Sequence, residues 1–222
     1  MNRLRRSFAK VIHRARVLPP LEAYRLWAAN YPPQAHNAFM RLEEATMREL
    51  LPPLDGRAVL DLGCGSGRYG RLARELGAAS VTGVDNSVDM LCRAVVPAAL
   101  ASMEALPFPA RRFDVILCGL AVGHLPGAAF ERALHEIGRV LKPDGAALLS
   151  DFHPYAALSG TQRTFTGSDG RIYAVEHHIH LISEYVRIGQ TAGLILDAVE
   201  ERGAKVGDAP AILVVRMLKR LC

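Results

Sequence analysis

The stretch Val59-Leu60-Asp61-Leu62-Gly63-Cys64-Gly65-Ser66-Gly67-Arg68-Tyr69-Gly70 constrains the fold more than any other part of the chain. A short apolar strand runs into a turn with glycine at alternate positions and then into a helix. Glycines there admit positive φ and let a ligand come close to the main chain. The same strand-to-helix alternation continues downstream. Residues 57–62, 80–84, 98–102, 113–119 and 146–151 read as strands. Residues 67–76, 87–94 and 127–141 read as helices, the last ended by Lys142-Pro143-Asp144-Gly145. A helix at 183–192 and strands at 194–199 and 212–217 close the chain, the two strands near enough to pair antiparallel. Such alternation predicts an α/β fold: a doubly wound, seven-stranded, mostly parallel sheet with an antiparallel final strand and helices on both faces.

The flanks read differently. Residues 21–30 and 35–51 have helical spacing, separated by Tyr31-Pro32-Pro33 and closed by Pro52-Pro53. Residues 153–181 break the alternation with Gly160, Gly167 and Gly170 and read as an insertion, with a hairpin around Ser168-Asp169-Gly170.

A length of 222 residues supports one sizeable core and falls short of two ordinary domains. The expected division is an N-terminal arm, 1–19, and a single domain, 20–222, with 153–181 as a lid. No apolar run approaches the ~20 residues of a membrane span, and no h-region follows the arginines near Met1. Four cysteines without CxxC pairing argue for free thiols in a reducing compartment, hence a cytoplasmic location.

Six of the 27 Lys and Arg residues lie within 1–16, where there is no acid; the remaining 21 stand against 22 Asp and Glu. The net charge of +5 therefore belongs to the arm, and the near-neutral body argues against a nucleic-acid partner. Leu4, Phe8, Val11, Ile12, Ala15 and Leu18 recur at helical spacing among the basic residues. That pattern suits a helix packed on its own domain, or one lying peripherally on an anionic membrane surface through residues 1–16; a transit peptide would look similar.

The glycine turn admits two ligand classes. Gly65-Ser66-Gly67-Arg68-Tyr69-Gly70 matches the GxGxxG of dinucleotide sites, and Val84-Asp85, about twenty residues on, places a carboxylate for ribose hydroxyls. Asp61 discriminates between them. A pyrophosphate prefers bare N–H groups, and a carboxylate beside it costs Coulomb energy. S-adenosylmethionine (SAM) brings an ammonium and a sulfonium, for which an acid is favourable. The turn therefore points to SAM.

Leu60-Asp61-Leu62-Gly63-Cys64-Gly65-Ser66-Gly67 closely resembles the first motif of class I SAM-dependent methyltransferases. Val84-Asp85-Asn86-Ser87, Glu104-Ala105-Leu106-Pro107-Phe108, Phe113-Asp114-Val115-Ile116 and Leu141-Lys142-Pro143-Asp144-Gly145 resemble its later blocks, in order, over roughly residues 20–152. The resemblance implies a Rossmann-like fold that takes SAM and releases S-adenosylhomocysteine. It implies that Asp61, Gly63 and Gly65 hold the methionine end with Cys118 and Gly119, that Cys64 adjoins the cofactor, and that Asp85 binds the ribose. Asn86 and Met90 would cover the adenine, and Met103 would meet a ring nitrogen through its backbone. Ser102 stands where the family usually has an adenine-binding Asp, leaving its hydroxyl or Glu104 to substitute. Tyr24 and Tyr31 resemble the aromatic pair that closes over the cofactor in ubiquinone-type members.

Methyl transfer needs alignment and dryness, and for a hydroxyl or amine acceptor also a base. His124 and His153, each following a strand at the ligand-binding rim, are candidate bases or substrate contacts. His177, His178 and His180 lie in the insertion, with His178 and His180 as candidate substrate contacts and no metal expected. The ubiquinone/menaquinone and malonyl-carrier-protein methyltransferases are the groups most resembled. The expected acceptor is accordingly a small molecule or lipid intermediate, methylated at O or C. A carrier-protein-bound substrate, RNA or protein methylation, and SAM binding without turnover remain the alternatives. The sequence is silent on oligomeric state.

Overall fold

The computed structural model describes residues 15–205 and 207–220. The chain enters with a short strand, β1 (Arg16–Leu18), followed by helices α1 (Pro20–Trp27) and α2 (Ala38–Leu50). The sheet units then follow as β2 (Ala58–Leu62), α3 (Arg68–Glu75), β3 (Ser80–Asp85), α4 (Val88–Leu91), β4 (Ala98–Leu100), β5 (Phe113–Gly119), α5 (Gly127–Val140) and β6 (Leu141–Phe152). The insertion carries α6 (Pro154–Leu158), β7 (Thr164–Thr166) and β8 (Ile172–Val175). After it come α7 (Ile182–Thr191), β9 (Leu194–Arg202) and β10 (Ile212–Lys219).

Seven strands form the main sheet in the order β4-β3-β2-β5-β6-β10-β9, with β10 antiparallel to both its neighbours and the other pairings parallel. This is the architecture the alternation predicts. Strand order reverses between β2 and β5, so a crevice opens beyond their carboxyl ends.

Period-2 alternation sends each strand's side chains to two cores. On β5, Ile116 and Cys118 join α5 and α7 residues such as Phe130, Leu134, Ile137 and Tyr185. Val115 and Leu117 face Met47 of α2 and Leu72 of α3.

Several expected boundaries shift. The helix expected at 87–94 is only Val88–Leu91, capped by the Ser87 side chain. The second N-terminal helix begins at Ala38 because the Asn37 side chain accepts from Met40 N and caps it there. Lys142-Pro143-Asp144-Gly145 does end α5, but the chain passes directly into β6, with Asp144 at φ 61 and a register shift against β5. β9 runs on to Arg202.

The larger correction concerns the arm. Arg16–Leu18 is a strand pairing parallel with β8, and β7 and β8 form the expected hairpin, giving a second, three-stranded sheet. Leu18 is buried with Ala23, Trp27, Phe165, Tyr173 and Val175 in a third core. Backbone pairing with the edge of β8 overrides the helical spacing that includes Leu18. Residues 1–14 lie outside the described residues, and with them the rest of the arm. The boundary expected at residue 19 is crossed by this second sheet.

Gly138 on α5 shows how closely α5 and the end of α7 pack. A Cβ there would stand 2.2 Å from the Ala192 carbonyl oxygen, which is backbone and cannot turn aside. Gly138→Ala should therefore destabilise by about 1–3 kcal/mol despite alanine's better helix propensity. A lowered midpoint in urea unfolding would show it; a raised midpoint would mean that the helices separate freely.

Candidate active site

The site is built on the turn between β2 and α3. Gly63, Gly65 and Gly67 have φ of 66°, 53° and 89°, a region that disfavours side chains. A Cβ on Gly63 would also come 2.6 Å from that of Ala121, on the loop after β5. The turn leaves bare main chain facing the crevice.

Two carboxylates flank it. Asp85, at the end of β3, accepts from Gly65 N through Oδ2 and from Ser87 N through Oδ1, both at 2.8 Å. It thus ties the glycine turn to the neighbouring strand. Burial raises its pKa, against the pull of these N–H groups. Asp61 is buried beneath the turn, and its Oδ2 accepts from Gly70 N at 2.6 Å. Burial lifts its pKa to about 7, partly offset by the Gly70 N–H and Arg68. Oδ1 has no partner among the described residues.

A cavity of about 330 Å³ lies against these groups. It is lined by Tyr24, Tyr31, Asp61, Gly63, Cys64, Gly65, Asp85, Asn86, Met90, Met103, Glu104, Gly119 and His124. Cys64 also packs on Gly83 as a small apolar filler, its thiol pKa raised by burial. Glu104 is ion-paired with Arg132, and the Ser102 hydroxyl accepts from Glu104 N.

Four expected site residues lie elsewhere. Cys118 neighbours Gly119 on β5 and so faces the opposite side, inside the core of α5 and α7. His153 caps α6 by accepting from Tyr155 N at 3.1 Å, and its Nε2 donates to Glu201 at 2.6 Å, which uses both ring nitrogens. His178 is joined to the main body through its backbone N–H, which donates to Gly123 O. His180 is buried, stacked on Phe130 at 3.9 Å, and its Nε2 donates to Leu125 O. Among the described residues no three His, Cys, Asp or Glu side chains are placed to hold a metal.

His124 sits in the cavity wall, but its lone pair is engaged. The Arg163 Nη1 lies 3.0 Å from Nε2, and a guanidinium can only donate, so Nε2 accepts and Nδ1 carries the hydrogen donated to Glu176 O. The Tyr24 hydroxyl points at the same Nε2, also at 3.0 Å. Burial and the Arg163 charge hold the imidazole down to about 3. The ring is a neutral acceptor for two donors and a poor base.

Sequence reasoning missed the second layer of this wall. Glu43 of α2 is fully buried and accepts from Tyr69 OH (2.6 Å), Ser150 Oγ (2.5 Å) and Arg68 Nη2 (2.8 Å). Arg68 and Tyr69 line the cavity, and a Cβ on Gly119 would stand 2.1 Å from the Tyr69 ring. Arg163 was missed as well. An acid in the apolar stripe of α2 was the available signal for Glu43, whereas nothing in the sequence marks Arg163.

A family profile described as a methyltransferase domain matches residues 60–149. That segment, which carries the glycine turn and the strands beside it, is thus similar to methyltransferase domains. The chain is 39% identical over 141 residues to a malonyl-[acyl-carrier protein] O-methyltransferase of Salmonella typhimurium, covering 60% of this chain and 55% of that protein. It is 39% identical over 148 residues to a 2-phytyl-1,4-naphtoquinone methyltransferase of Nostoc punctiforme, covering 60% and 63%. The chain spans about half the length of the curated relatives it matches. The fold is similar to an S-adenosylmethionine dependent methyltransferase from Mesorhizobium loti, with a TM-score of 0.67 at 23% identity over 80% of this chain and 97% of that one. It is equally similar to the [4+2]-cyclase SpnF, with a TM-score of 0.68 at 18% identity over 91% and 96%.

The cavity fits SAM. The bare turn is a cradle that Cβ atoms would fill, Asp61 Oδ1 is an unpartnered acceptor for an ammonium, and Asp85 keeps lone pairs for ribose hydroxyls. If Asp61 meets the ammonium, binding requires its ionised form. S-adenosylhomocysteine affinity should then fall as pH drops below about 7, approaching tenfold per unit. Calorimetry between pH 5.5 and 8 would show this, and Asp61→Asn should bind more weakly with a flat profile. A flat wild-type profile would remove Asp61 from the ammonium.

Proposed function

We propose that the protein methylates a small-molecule or lipid-intermediate acceptor from SAM. The observation that carries this reading is the pair of acids on either side of the glycine turn, Asp61 buried and Asp85 half-buried. Asp61 lies where it can hold the cationic methionine end, together with the Gly63–Gly65 main chain and Gly119. Asp85 is anchored by two backbone N–H groups so that its remaining lone pairs face the ribose. Asn86 and Met90 cover the adenine, the Met103 backbone meets its edge, and Glu104 stands near its amino group.

When bound, the cofactor supplies a methyl group on a sulfonium, an electrophile with a good leaving group. The chain's part is to align donor and acceptor and to exclude water. Tyr24 and Tyr31 form the roof on the entry side, and the second sheet, as a lid, packs behind them through Trp27 and Phe165. His124 fixes the Tyr24 hydroxyl and Arg163 rather than moving a proton. Similarity to a [4+2]-cyclase means that the fold alone does not choose the reaction; the turnover reading rests on the site.

The direct test is calorimetric titration with S-adenosylhomocysteine, with NADH as control. Micromolar binding of the former and none of the latter is expected, and Asp85→Ala should weaken it more than tenfold. NADH binding, or unchanged affinity in the variant, would overturn the reading. SAM consumption with any acceptor would exclude a role confined to binding.

No helix among the described residues is long and apolar enough to cross a membrane. Peripheral contact through the basic arm is a separate proposal, supported by its composition. Deleting residues 1–14 should reduce co-sedimentation with anionic phosphatidylserine vesicles and leave S-adenosylhomocysteine affinity intact. Equal sedimentation of both forms would end that idea.

A further inference from the structure

Large apolar side chains are exposed in one region of the surface more than elsewhere. Of the twelve that the described residues leave exposed, seven lie within residues 17–21 and 155–181. Those segments share one rim. Val17 and Ile179 line a second cavity of about 210 Å³ together with Ala157 of α6, whose neighbour Leu158 is 72% exposed. Val17 pairs with Ala174 and so shares a face of the second sheet with Ile172. The opposite face carries Leu18, Tyr173 and Val175 into the third core. Leu21, also exposed, stands with Pro19 and Pro20 at the opening of the cofactor cavity.

The charge beside this rim is positive. The chain runs into Val17 directly from residues 1–16, which hold six Lys and Arg and no acid. Arg16, Arg25 and Arg171 are exposed on the described segments. Of the acids there, Asp169 accepts from Tyr173 OH, Glu184 accepts from Leu181 N, and Glu22 and Glu176 are half-buried. Further into the second cavity the wall is polar: His177 is bonded to Asp151, and Arg163 to Leu120 O and His124. Exposed apolar side chains around an opening, with cations beside them, match the two layers of an anionic bilayer. A protein partner would cover both openings, whereas a lipid surface leaves them accessible to an acceptor carried in the lipid.

We propose that this face rests on an anionic lipid surface, with the rims of both cavities sunk to the level of the headgroups. The proposal rests on the lipid-intermediate form of the methyl-transfer reading and goes beyond contact through the arm, because it fixes which way the molecule faces. The arm supplies attraction that salt screens, and the rim supplies apolar burial that salt does not weaken. An acceptor then passes from the lipid into the protein without crossing water, its polar end leading.

The test co-sediments the full chain with vesicles of equimolar phosphatidylcholine and phosphatidylserine. Leu158→Ser combined with Ile172→Ser should lower the partition coefficient by about tenfold. Ile195→Ser should leave it unchanged, since Ile195 pairs with Leu218 at the end of the main sheet opposite the crevice. A nitrobenzoxadiazole label gives an independent reading, attached to Leu158→Cys or to Ile195→Cys in a chain that also carries Cys92→Ser and Cys222→Ser. Vesicles should move the emission of the first to the blue and leave the second alone. Rim variants that sediment like the wild type, or an Ile195→Cys label that responds as strongly as the Leu158→Cys label, would overturn the proposal. Loss of sedimentation on deleting residues 1–14 but not on changing the rim assigns the contact to the arm alone and overturns it too. A wild type that stays in the supernatant does the same; if it then dimerises in the ultracentrifuge and the double rim variant does not, the face belongs to a second copy. S-adenosylhomocysteine affinity, measured without vesicles, should be equal in the wild type and the rim variants. Its absence in the wild type would overturn the cofactor reading, which the vesicle results do not touch.

Discussion

The Asp85 carboxylate, accepting from Gly65 N with one oxygen and Ser87 N with the other, is the contact on which the site's geometry depends. It clamps a turn in left-handed backbone to the end of the adjacent strand. That turn starts α3 beneath the crevice, sets Asp61 below it and leaves the main chain uncovered. A half-buried charge would be costly alone. Here one of the N–H groups it orders belongs to the glycine turn and the other to the N-cap of α4.

A second buried carboxylate supports the wall from behind. Glu43 brings together α2, α3 and β6 through Tyr69, Ser150 and Arg68, and the Tyr69 ring is thereby held against Gly119. Removing one partner of such a cluster leaves uncompensated charge, an effect of about 3–5 kcal/mol for buried pairs. The cofactor wall is therefore rigid on the sheet side, while the opposite side is built from the separate aromatic core of Tyr24, Trp27, Tyr31 and Phe165.

What the sequence made legible follows from interaction range. The sheet was readable because strand and helix periods are local, and the Asp61 and Asp85 placements because each sits at a fixed offset from the turn. Gly119 and Cys118 could have been separated by parity alone, since adjacent residues on a strand face opposite ways. Glu43, Arg68 and Tyr69 meet across about 25 residues of sequence, and Arg163 meets His124 across 39. No local pattern encodes such pairings. His153 was misjudged for a related reason: its place at the rim was right, but the cap on α6 and the Glu201 carboxylate occupy its nitrogens.

The parallel pairing of β1 with β8 has a mechanical consequence. The chain's entry strand is hydrogen-bonded into the same small sheet that carries the hairpin, and α1, with Tyr24, hangs directly from it. Anything that grips the chain ahead of Arg16 therefore pulls on a lever whose far end is the cavity roof. Load applied there falls first on the β1–β8 hydrogen bonds and next on α1, whose Tyr24 is tied through His124 to Arg163.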